Sequence, residues 1–253
     1  MSSSFAYVYD ERLAEYGFHR DVARFEADLV GFGIGGRMAR LSLFKKAKDS
    51  VDDFVRDGLR HVVIVGDDET LLRMMSFLPE LPVTIGFVPL IGGPSIFSSL
   101  LGIKNTKSAI QALTGRLTAT FDIGKVGDKF FLTKVVIPDT RAELEVDGRF
   151  RLRPTEGGTI VVSNLGEGDP RDGLLDVRVS SASAPKTFFW RKPKESFETV
   201  LRMTQGYVRS DEPVQLIVDG QLLEGTSFKI GVLKKKARFL VGREGLLASA
   251  RIS

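Results

Sequence analysis

Hydrophobic residues in the first half of the chain occur in two alternating patterns. Short, uninterrupted apolar runs alternate with stretches in which apolar residues recur every three or four positions. The runs are typical of strands buried in a parallel sheet, and the spaced stretches are typical of amphipathic helices. This alternation predicts a parallel α/β layer from residue 5 to about residue 118. Its strands are predicted at 5–9, 37–44, 62–65 and 84–88, and its helices at 19–31, 47–55, 71–78 and 109–113.

Beyond about residue 119, apolar and polar residues alternate with a period of two, which predicts a β-rich antiparallel domain over residues 119–242. The clearest hairpin signal is Asp147-Gly148, which lies between two alternating runs and suits a tight turn. The strands of this domain are predicted at 142–146, 149–153, 159–164, 174–180, 214–218, 227–233 and 237–241.

Two segments are predicted to interrupt these strands. A helix is predicted over residues 193–205, because Phe197, Val200 and Leu201 fall on one helical face. The basic run at 234–238 is predicted to be a solvated hairpin turn.

Composition narrows the classes of function. Hydrophobic residues make up 43% and charged residues 27% of the chain, and no apolar run is long enough to span a membrane. The chain has no cysteine and no signal-peptide pattern at its start, so a cytoplasmic location is expected and thiolate chemistry is excluded. With only His19 and His61 present, histidine-based catalysis is not expected. The net charge of +4 permits an anionic ligand or lipid surface, and no nucleic acid is expected as a partner.

Two segments carry most of the functional information. Residues 62–71 form an apolar run that breaks at Gly66 into a polar turn and continues as a helical pattern. Residues 85–94 repeat the strand and the glycine turn about 20 residues later. A strand, a glycine turn and a helix together offer backbone N–H groups to a phosphate.

Together these segments resemble the catalytic domain of the bacterial diacylglycerol and lipid kinases, relatives of the sphingosine kinases and more distantly of NAD kinase. Those proteins carry Gly-Gly-Asp-Gly-Thr after one strand and a Pro-Leu-Gly-Thr-Gly-Asn type loop after the next. Weaker matches at 121–131, 172–177 and 218–221 extend the resemblance over nearly the whole chain. It implies a Rossmann-like nucleotide-binding domain at 1–118, with 243–253 packed back onto it, and ATP and Mg²⁺ in a cleft beside the β-rich domain.

The resemblance also implies site residues and shows where this chain departs from the family. Asp68 stands where the family has its acidic residue, whereas Asp67 and Glu69 replace glycines and bring negative charge toward the phosphate oxygens. Gln221 stands where the family has a catalytic glutamate, and a carboxamide cannot accept the proton. The nucleotide-binding residues implied are Gly66, Asp67, Asp68, Glu69, Thr70, Gly92 and Gly93.

A structural metal ion is a second implication of the resemblance. The carboxylate of Asp172, with the carbonyl groups of Leu174 and Asp169, is implied to hold a divalent ion, and oxygen ligands of this kind suit Mg²⁺ or Ca²⁺.

A membrane contact is suggested by residues 186–194, where three aromatic side chains lie beside four cationic ones, a combination that suits a membrane interface. A nucleotide or a lipid is therefore the expected partner, with peripheral membrane contact, and a homo-oligomer is left open. The aromatic residues concerned are Phe188, Phe189 and Trp190.

Each motif also has a purely structural interpretation. Residues 66–70 suit a helix start capped by Asp67 or Asp68, and residues 92–94 suit a plain turn before a helix. Asp-Gly at 172–173 and 219–220 suits tight turns, and the rings of 186–194 suit a protein core. Three functions therefore stay open: a lipid-kinase homologue that binds a ligand without efficient transfer, an active kinase with an altered metal site, and an interaction module that retains only the fold.

Overall fold

A computed structural model describes residues 4–41, 47–93, 95–154, 156–165, 170–181 and 196–245. The chain forms two compact units. The first consists of Met1–Phe121 together with Lys236–Ser253, and the second of Asp122–Lys235.

The first unit is built on a parallel sheet. Its strands lie in the order β2-β1-β3-β4, and every neighbouring pair is parallel. The strands β1 and β3 are buried along almost their whole length, as their uninterrupted apolar sequences predict. The four strands are β1 (Phe5–Tyr9), β2 (Arg37–Arg40), β3 (His61–Gly66) and β4 (Thr84–Pro89).

In the described residues, five α-helices connect and cover these strands. In α1 the spaced apolar residues Val22, Phe25 and Leu29 are buried, as their period of three to four predicts. The helix α2 is followed by Gly58 in the left-handed conformation, which ends a helix readily. The predicted parallel α/β layer is therefore confirmed. The helices are α1 (His19–Gly31), α2 (Ala47–Arg56), α3 (Asp68–Met75), α4 (Ile96–Leu100) and α5 (Thr106–Gly115).

The second unit is rich in antiparallel strands around one hydrophobic core, as predicted. Its main order is β12-β11-β10-β7-β13-β14. In addition, β8 pairs with β13 and β9 with β8, while β5 pairs with β14 and β6 with β5. The Asp147-Gly148 turn joins β8 to β9, with both residues in the left-handed conformation. The strands are β5 (Thr118–Val126), β6 (Lys129–Phe131), β7 (Lys134–Ile137), β8 (Glu143–Val146), β9 (Phe150–Leu152), β10 (Thr159–Ser163), β11 (Leu175–Ser181), β12 (Ser196–Met203), β13 (Gln205–Val218) and β14 (Gln221–Leu240).

The helix predicted over 193–205 is wrong. Residues Ser196–Met203 form the strand β12, which pairs antiparallel with β11. Val200 is 59% exposed whereas Met203 is fully buried, and the partly buried Leu201 packs against the core. Burial thus follows a period of two here, and pairing with β11 overrides the spacing that resembled a helical face.

The hairpin turn predicted at 234–238 is also wrong, because β14 runs through this segment to Leu240. The backbone does bend there: Lys235 adopts a left-handed conformation and donates its N–H to the Asp122 carboxylate at 2.7 Å. This bond lets one long strand contain an irregularity without reversing. The end of β14 then pairs in parallel with β4, Arg238 with Thr84 and Phe239 with Ile85.

The described helices include none that is both long and apolar enough to cross a membrane.

Candidate functional site

The carboxyl ends of β1 and β3 bring two aspartates to one edge of the first unit's sheet. The strands pair in parallel, with Tyr9 opposite Val65, so the residues that follow them lie side by side. Asp10 continues this pairing by donating its backbone N–H to the Val65 carbonyl at 2.9 Å. Asp67 follows β3 directly and begins α3. Parallel pairing therefore joins two sequence-distant acids into one cluster.

Asp10 is the buried centre of this cluster, with only 1% of its surface exposed. Its carboxylate accepts a two-pronged contact from Arg12, from Nε at 2.8 Å and from Nη2 at 3.2 Å. The Thr70 hydroxyl donates to Asp10 at 2.5 Å, and Arg73 Nη2 donates at 3.2 Å. Such charge-assisted bonds satisfy a carboxylate that would be costly to bury alone.

Arg12 also reaches across to the second aspartate. Its Nη2 lies 2.8 Å from Asp67 Oδ2, so one guanidinium links Asp10 to Asp67. The short 3₁₀ helix Glu11–Ala14, which follows β1, positions this arginine, and Asp10 caps it by accepting the Arg12 N–H. The result is a chain of Asp10, Arg12 and Asp67 across the ends of two strands.

Asp67 has a structural task as well, because it caps α3. Its Oδ1 accepts the Thr70 N–H at 3.0 Å, and the Thr70 hydroxyl oxygen accepts the Asp67 N–H at 3.5 Å. These two reciprocal bonds form a capping box. The predicted helix start at 66–70 is therefore present. Gly66 allows this close approach, since a Cβ there would lie 2.6 Å from Thr70 Oγ1.

The charges in this cluster have shifted acidities. Burial by itself raises the pKa of the Asp10 carboxyl, but hydrogen bonds from Arg12 and Thr70 outweigh burial and hold that pKa at about 2. Burial also opposes ionisation of Asp67, yet bonds from Thr70 and Arg12 bring its pKa below the usual value. Both aspartates are therefore anionic at neutral pH.

Asp68 faces the neighbouring junction between β4 and α4. Burial raises its pKa, the charge of Asp67 raises it further, and bonds from Ser95 and the Phe97 N–H partly offset the rise. Its Oδ1 atom is buried and has no hydrogen-bond partner among the described residues. A cavity of about 170 Å³ lies beside these residues. It is lined by Asp67, Asp68, Glu69, Phe87, Pro89, Ile91, Gly92, Gly93 and Ser95.

Gly92 and Gly93 form the exposed side of this cavity. Both adopt left-handed φ values, 77° and 78°, which favour glycine. No other atom lies within 4 Å of the place where their Cβ atoms would stand. The structure thus brings the two predicted glycine turns together around one small cavity.

Gln221 lies in the second unit, where it is the first residue of β14 and is exposed to solvent. It follows the two-residue turn Asp219-Gly220, in which both residues have positive φ. Asp219 accepts backbone N–H groups from Leu132, Thr133 and Lys134 at 2.7 to 3.0 Å. These bonds hold the turn against the start of β7 and the two residues before it. Gln221 therefore lies next to a hairpin turn whose position is fixed.

The implied metal ligands of the second unit occupy a turn before β11. Asp172 is exposed, and its Oδ1 accepts the Leu174 N–H at 2.9 Å. The neighbouring Gly173 donates its N–H to the buried Asp122 carboxylate at 2.7 Å. The side chain of Lys234 packs over Gly173. Asp169 lies outside the described residues, and the metal assignment stays a prediction.

At the carboxyl ends of β1 and β3, the described side chains are not arranged as ligands for Mg²⁺ or for the phosphates of ATP. No group of three or more histidine, cysteine, aspartate or glutamate side chains is placed to hold a metal ion in the described part of the chain. Asp67 is engaged with Arg12 and Thr70, so the Thr70 N–H and one Arg12 nitrogen that a phosphate could use already bind an aspartate oxygen. The residues present therefore do not fit a polyphosphate bound in this arrangement.

Sequence reasoning missed three residues of this site: Asp10, Arg12 and Arg73. Asp10 and Arg12 lie in the segment 10–13 after the first strand, which contains no glycine and no proline and therefore does not look like a phosphate-binding loop. The available signal was an acid directly after a buried strand, with an arginine two residues later. The predicted aromatic residues Phe188, Phe189 and Trp190 lie outside the described residues.

Comparison with known proteins bears on the fold. No protein-family model and no curated protein sequence matches the chain. The crystal structure of a diacylglycerol kinase from Bacillus anthracis strain Sterne matches with a TM-score of 0.73 and 14% identity, covering 95% of this chain and 97% of that one. A second structure, provisionally described as a diacylglycerol kinase of the same organism, matches with a TM-score of 0.74 and 16% identity, covering 95% and 98%. The predicted resemblance in fold is confirmed.

Proposed function

We propose that this protein uses the diacylglycerol kinase fold to bind a ligand, a nucleotide or a lipid, without efficient phosphate transfer. The observation that carries the proposal is the bridge from Asp10 through Arg12 to Asp67 at the strand ends. The fold supplies the parallel sheet and its helices. The bridge places charged side chains of the protein itself at the carboxyl ends of β1 and β3.

Electrostatics at this edge oppose a polyphosphate. Arg12 and Arg73 are already shared between Asp10 and Asp67, and Glu69 adds a further negative charge at the start of α3. An anion at about 4 Å from the exposed Glu69 carboxylate is repelled by about 1 kcal/mol in water, and by about 4 kcal/mol where the effective dielectric constant falls to 20. A tightly bound triphosphate is therefore not favoured at this position.

The chemistry at Gln221 supports the same conclusion. At the position that the resemblance assigns to the general base, the Gln221 amide cannot accept a proton from an acceptor hydroxyl. No other base is needed for a protein that only binds its ligand. An active kinase with an altered metal site is less well supported, because the three acids at 67–69 do not converge as metal ligands.

The decisive experiment is transfer of labelled γ-phosphate from ATP with Mg²⁺ to diacylglycerol and to a total lipid extract. We expect turnover far below 1 s⁻¹, the lower end of the usual kinase range of about 1 to 100 s⁻¹. Turnover inside that range would overturn the proposal.

Ligand binding is tested separately by thermal unfolding with ATP, ADP or lipid micelles. A ligand at 100 times its Kd stabilises the folded state by about 2.7 kcal/mol, which raises the melting temperature measurably. A shift with any of these ligands supports a binding protein. The absence of any shift, together with no transfer, would leave the third function, an interaction module that retains only the fold.

Membrane contact through residues 186–194 is part of this proposal and rests on sequence alone. Each basic residue near an anionic surface contributes about 1 kcal/mol to binding. Co-sedimentation with anionic vesicles should therefore occur, should weaken with salt, and should be reduced by the pair of changes Phe189→Ser and Trp190→Ser. If the wild type sediments with the vesicles no more than this double variant does, membrane contact is removed from the proposal.

A further inference from the structure

The two carboxylates that Arg12 contacts hold it with unequal strength. Asp10 is 1% exposed and takes two guanidinium nitrogens, whereas the Asp67 side chain is 23% exposed and takes one. A buried two-pronged pair is costly to break, since a lone buried charge remains. A partly exposed single contact contributes little to stability, because water and salt screen it. Arg12 is therefore anchored at Asp10 and releasable at Asp67.

An arginine anchored on one side and open on the other has the form of an anion receptor. Its planar fork can bind a carboxylate or a phosphate through parallel N–H groups. Here the anion that it meets is internal: Asp67 Oδ2 lies 2.8 Å from Nη2. No partner of Arg12 Nη1 is seen among the described residues, and 39% of the Arg12 side chain is exposed.

Asp67 is also held in place from the other side. Its Oδ1 accepts the Thr70 N–H at 3.0 Å and lies 2.8 Å from the Thr70 hydroxyl oxygen, whose single hydrogen is shared between Asp67 and the nearer Asp10 carboxylate, so the Asp67 carboxylate is held by the helix that it caps. The contact with Arg12 therefore needs little further ordering of either side chain.

We propose that the contact between Arg12 and Asp67 is autoinhibitory: the Asp67 carboxylate acts as a built-in anion that occupies Arg12 and keeps external phosphate away from the strand ends. This inference rests on the proposed function, because it states which ligands the same site excludes. The wild-type site accepts ligands without a phosphate at this position. Removing the charge of residue 67 exposes an arginine that is already oriented by Asp10.

The test uses inorganic pyrophosphate as the probe and isothermal calorimetry as the measurement. The variant Asp67→Asn keeps a good N-cap and removes the charge, and Asp67→Ala removes both the cap and the charge. We expect at least a tenfold gain in pyrophosphate affinity over wild type in Asp67→Asn. The gain should disappear when Arg12→Met is added, and it should weaken as salt is raised.

A matched control separates this contact from net charge alone. Glu69→Gln removes one negative charge two residues away, and no contact between Glu69 and Arg12 is seen in the described structure. We expect less than a threefold gain in that variant. Urea unfolding of each variant shows that it is folded under the conditions of the binding measurement.

Two outcomes would overturn the inference: no gain in folded Asp67→Asn, or an equal gain in Asp67→Asn and in its combination with Arg12→Met. Neither depends on ATP or on turnover. Kinase activity of the wild type would refute the proposed function while leaving the pyrophosphate result to decide this contact by itself.

Discussion

Two junctions between a strand and a helix lie side by side in the first unit. Both satisfy the free N–H groups at the start of a helix, one with a charged side chain and the other with neutral side chains. The helix α3 begins with the capping box of Asp67 and Thr70, and α4 begins with the capping box of Ser95 and Ser98. At the first junction an arginine and a second aspartate join the cap. The cap of the second junction is built from two neutral serines, and it follows two exposed glycines.

The difference shows that capping and ligand selection are separate properties of a helix start. Either an aspartate or a serine satisfies the first N–H groups of a helix. Only the aspartate adds a charge, and that charge is balanced here by Arg12 rather than by a ligand. The first junction is therefore closed by side chains, whereas Gly92 and Gly93 of the second junction leave backbone accessible to solvent.

The largest expected effect comes from removing the centre of the closed junction. Asp10→Ala leaves Arg12, Arg73 and the Thr70 hydroxyl without their shared acceptor. Breaking one partner of a buried charge network costs about 3 kcal/mol. The free energy of unfolding in urea measures this cost. A loss below 1 kcal/mol would show that the network does not hold the closed junction together.

The pH dependence of stability should reveal the same group. Because Asp10 has a folded pKa of about 2 against an ordinary value of 3.8, its contribution to stability is complete above about pH 5 and is lost as the pH falls through 4 toward 2. Each pKa unit corresponds to about 1.4 kcal/mol, so about 2 kcal/mol is at stake. Asp68 acts in the opposite direction, since its pKa is raised.

Acid titration of stability in wild type and Asp10→Asn checks this prediction. The wild type should lose stability between pH 4 and 2, and the variant should show a flatter profile over that range. Identical profiles would contradict the assigned acidity of Asp10.

The glycines of the two junctions should respond to alanine for different reasons. At Gly66 a Cβ would lie 2.6 Å from Thr70 Oγ1, so Gly66→Ala crowds the capping box and costs about 1.5 kcal/mol. At Gly93 the space is open, and Gly93→Ala costs about 1 kcal/mol through its left-handed backbone. Thermal unfolding compares the two. A Gly66→Ala protein as stable as wild type would show that the closed junction tolerates expansion.

The smallest effect is expected at the neutral cap. Ser95→Ala removes the acceptor of the Ser98 N–H, at 3.1 Å, and costs about 0.5 to 1 kcal/mol. Asp67→Asn should cost no more than this, because asparagine is an equally good cap and only the contact with Arg12 is weakened. Urea midpoints of the two variants measure the comparison. A much larger loss in Asp67→Asn would mean that the charged contact, and not the cap, stabilises the first junction.

Much of the fold could be predicted because the relevant signals are local. The helix at 19–31, the capped start of α3 and the Asp-Gly hairpins each depend on residues within a few positions of one another. The helix predicted over 193–205 failed because three apolar residues fit two periods, and only the neighbouring strand β11 decides between them. The hairpin turn predicted at 234–238 was wrong because the backbone there is held by a bond from Lys235 to Asp122. These residues are 113 positions apart, so no local pattern shows the bond.

The sequence by itself determined the strands and the longer helices of the first unit, the glycine turns after β3 and β4, and the amide at Gln221. Only the tertiary structure decided what these turns contact. Arg12 meets Asp67 across 55 residues because β1 and β3 are parallel neighbours, and Thr70 meets Asp10 across 60 for the same reason. Strand order is set by burial of whole elements, so no local pattern could show that the protein's own aspartate takes the arginine at the edge of this sheet.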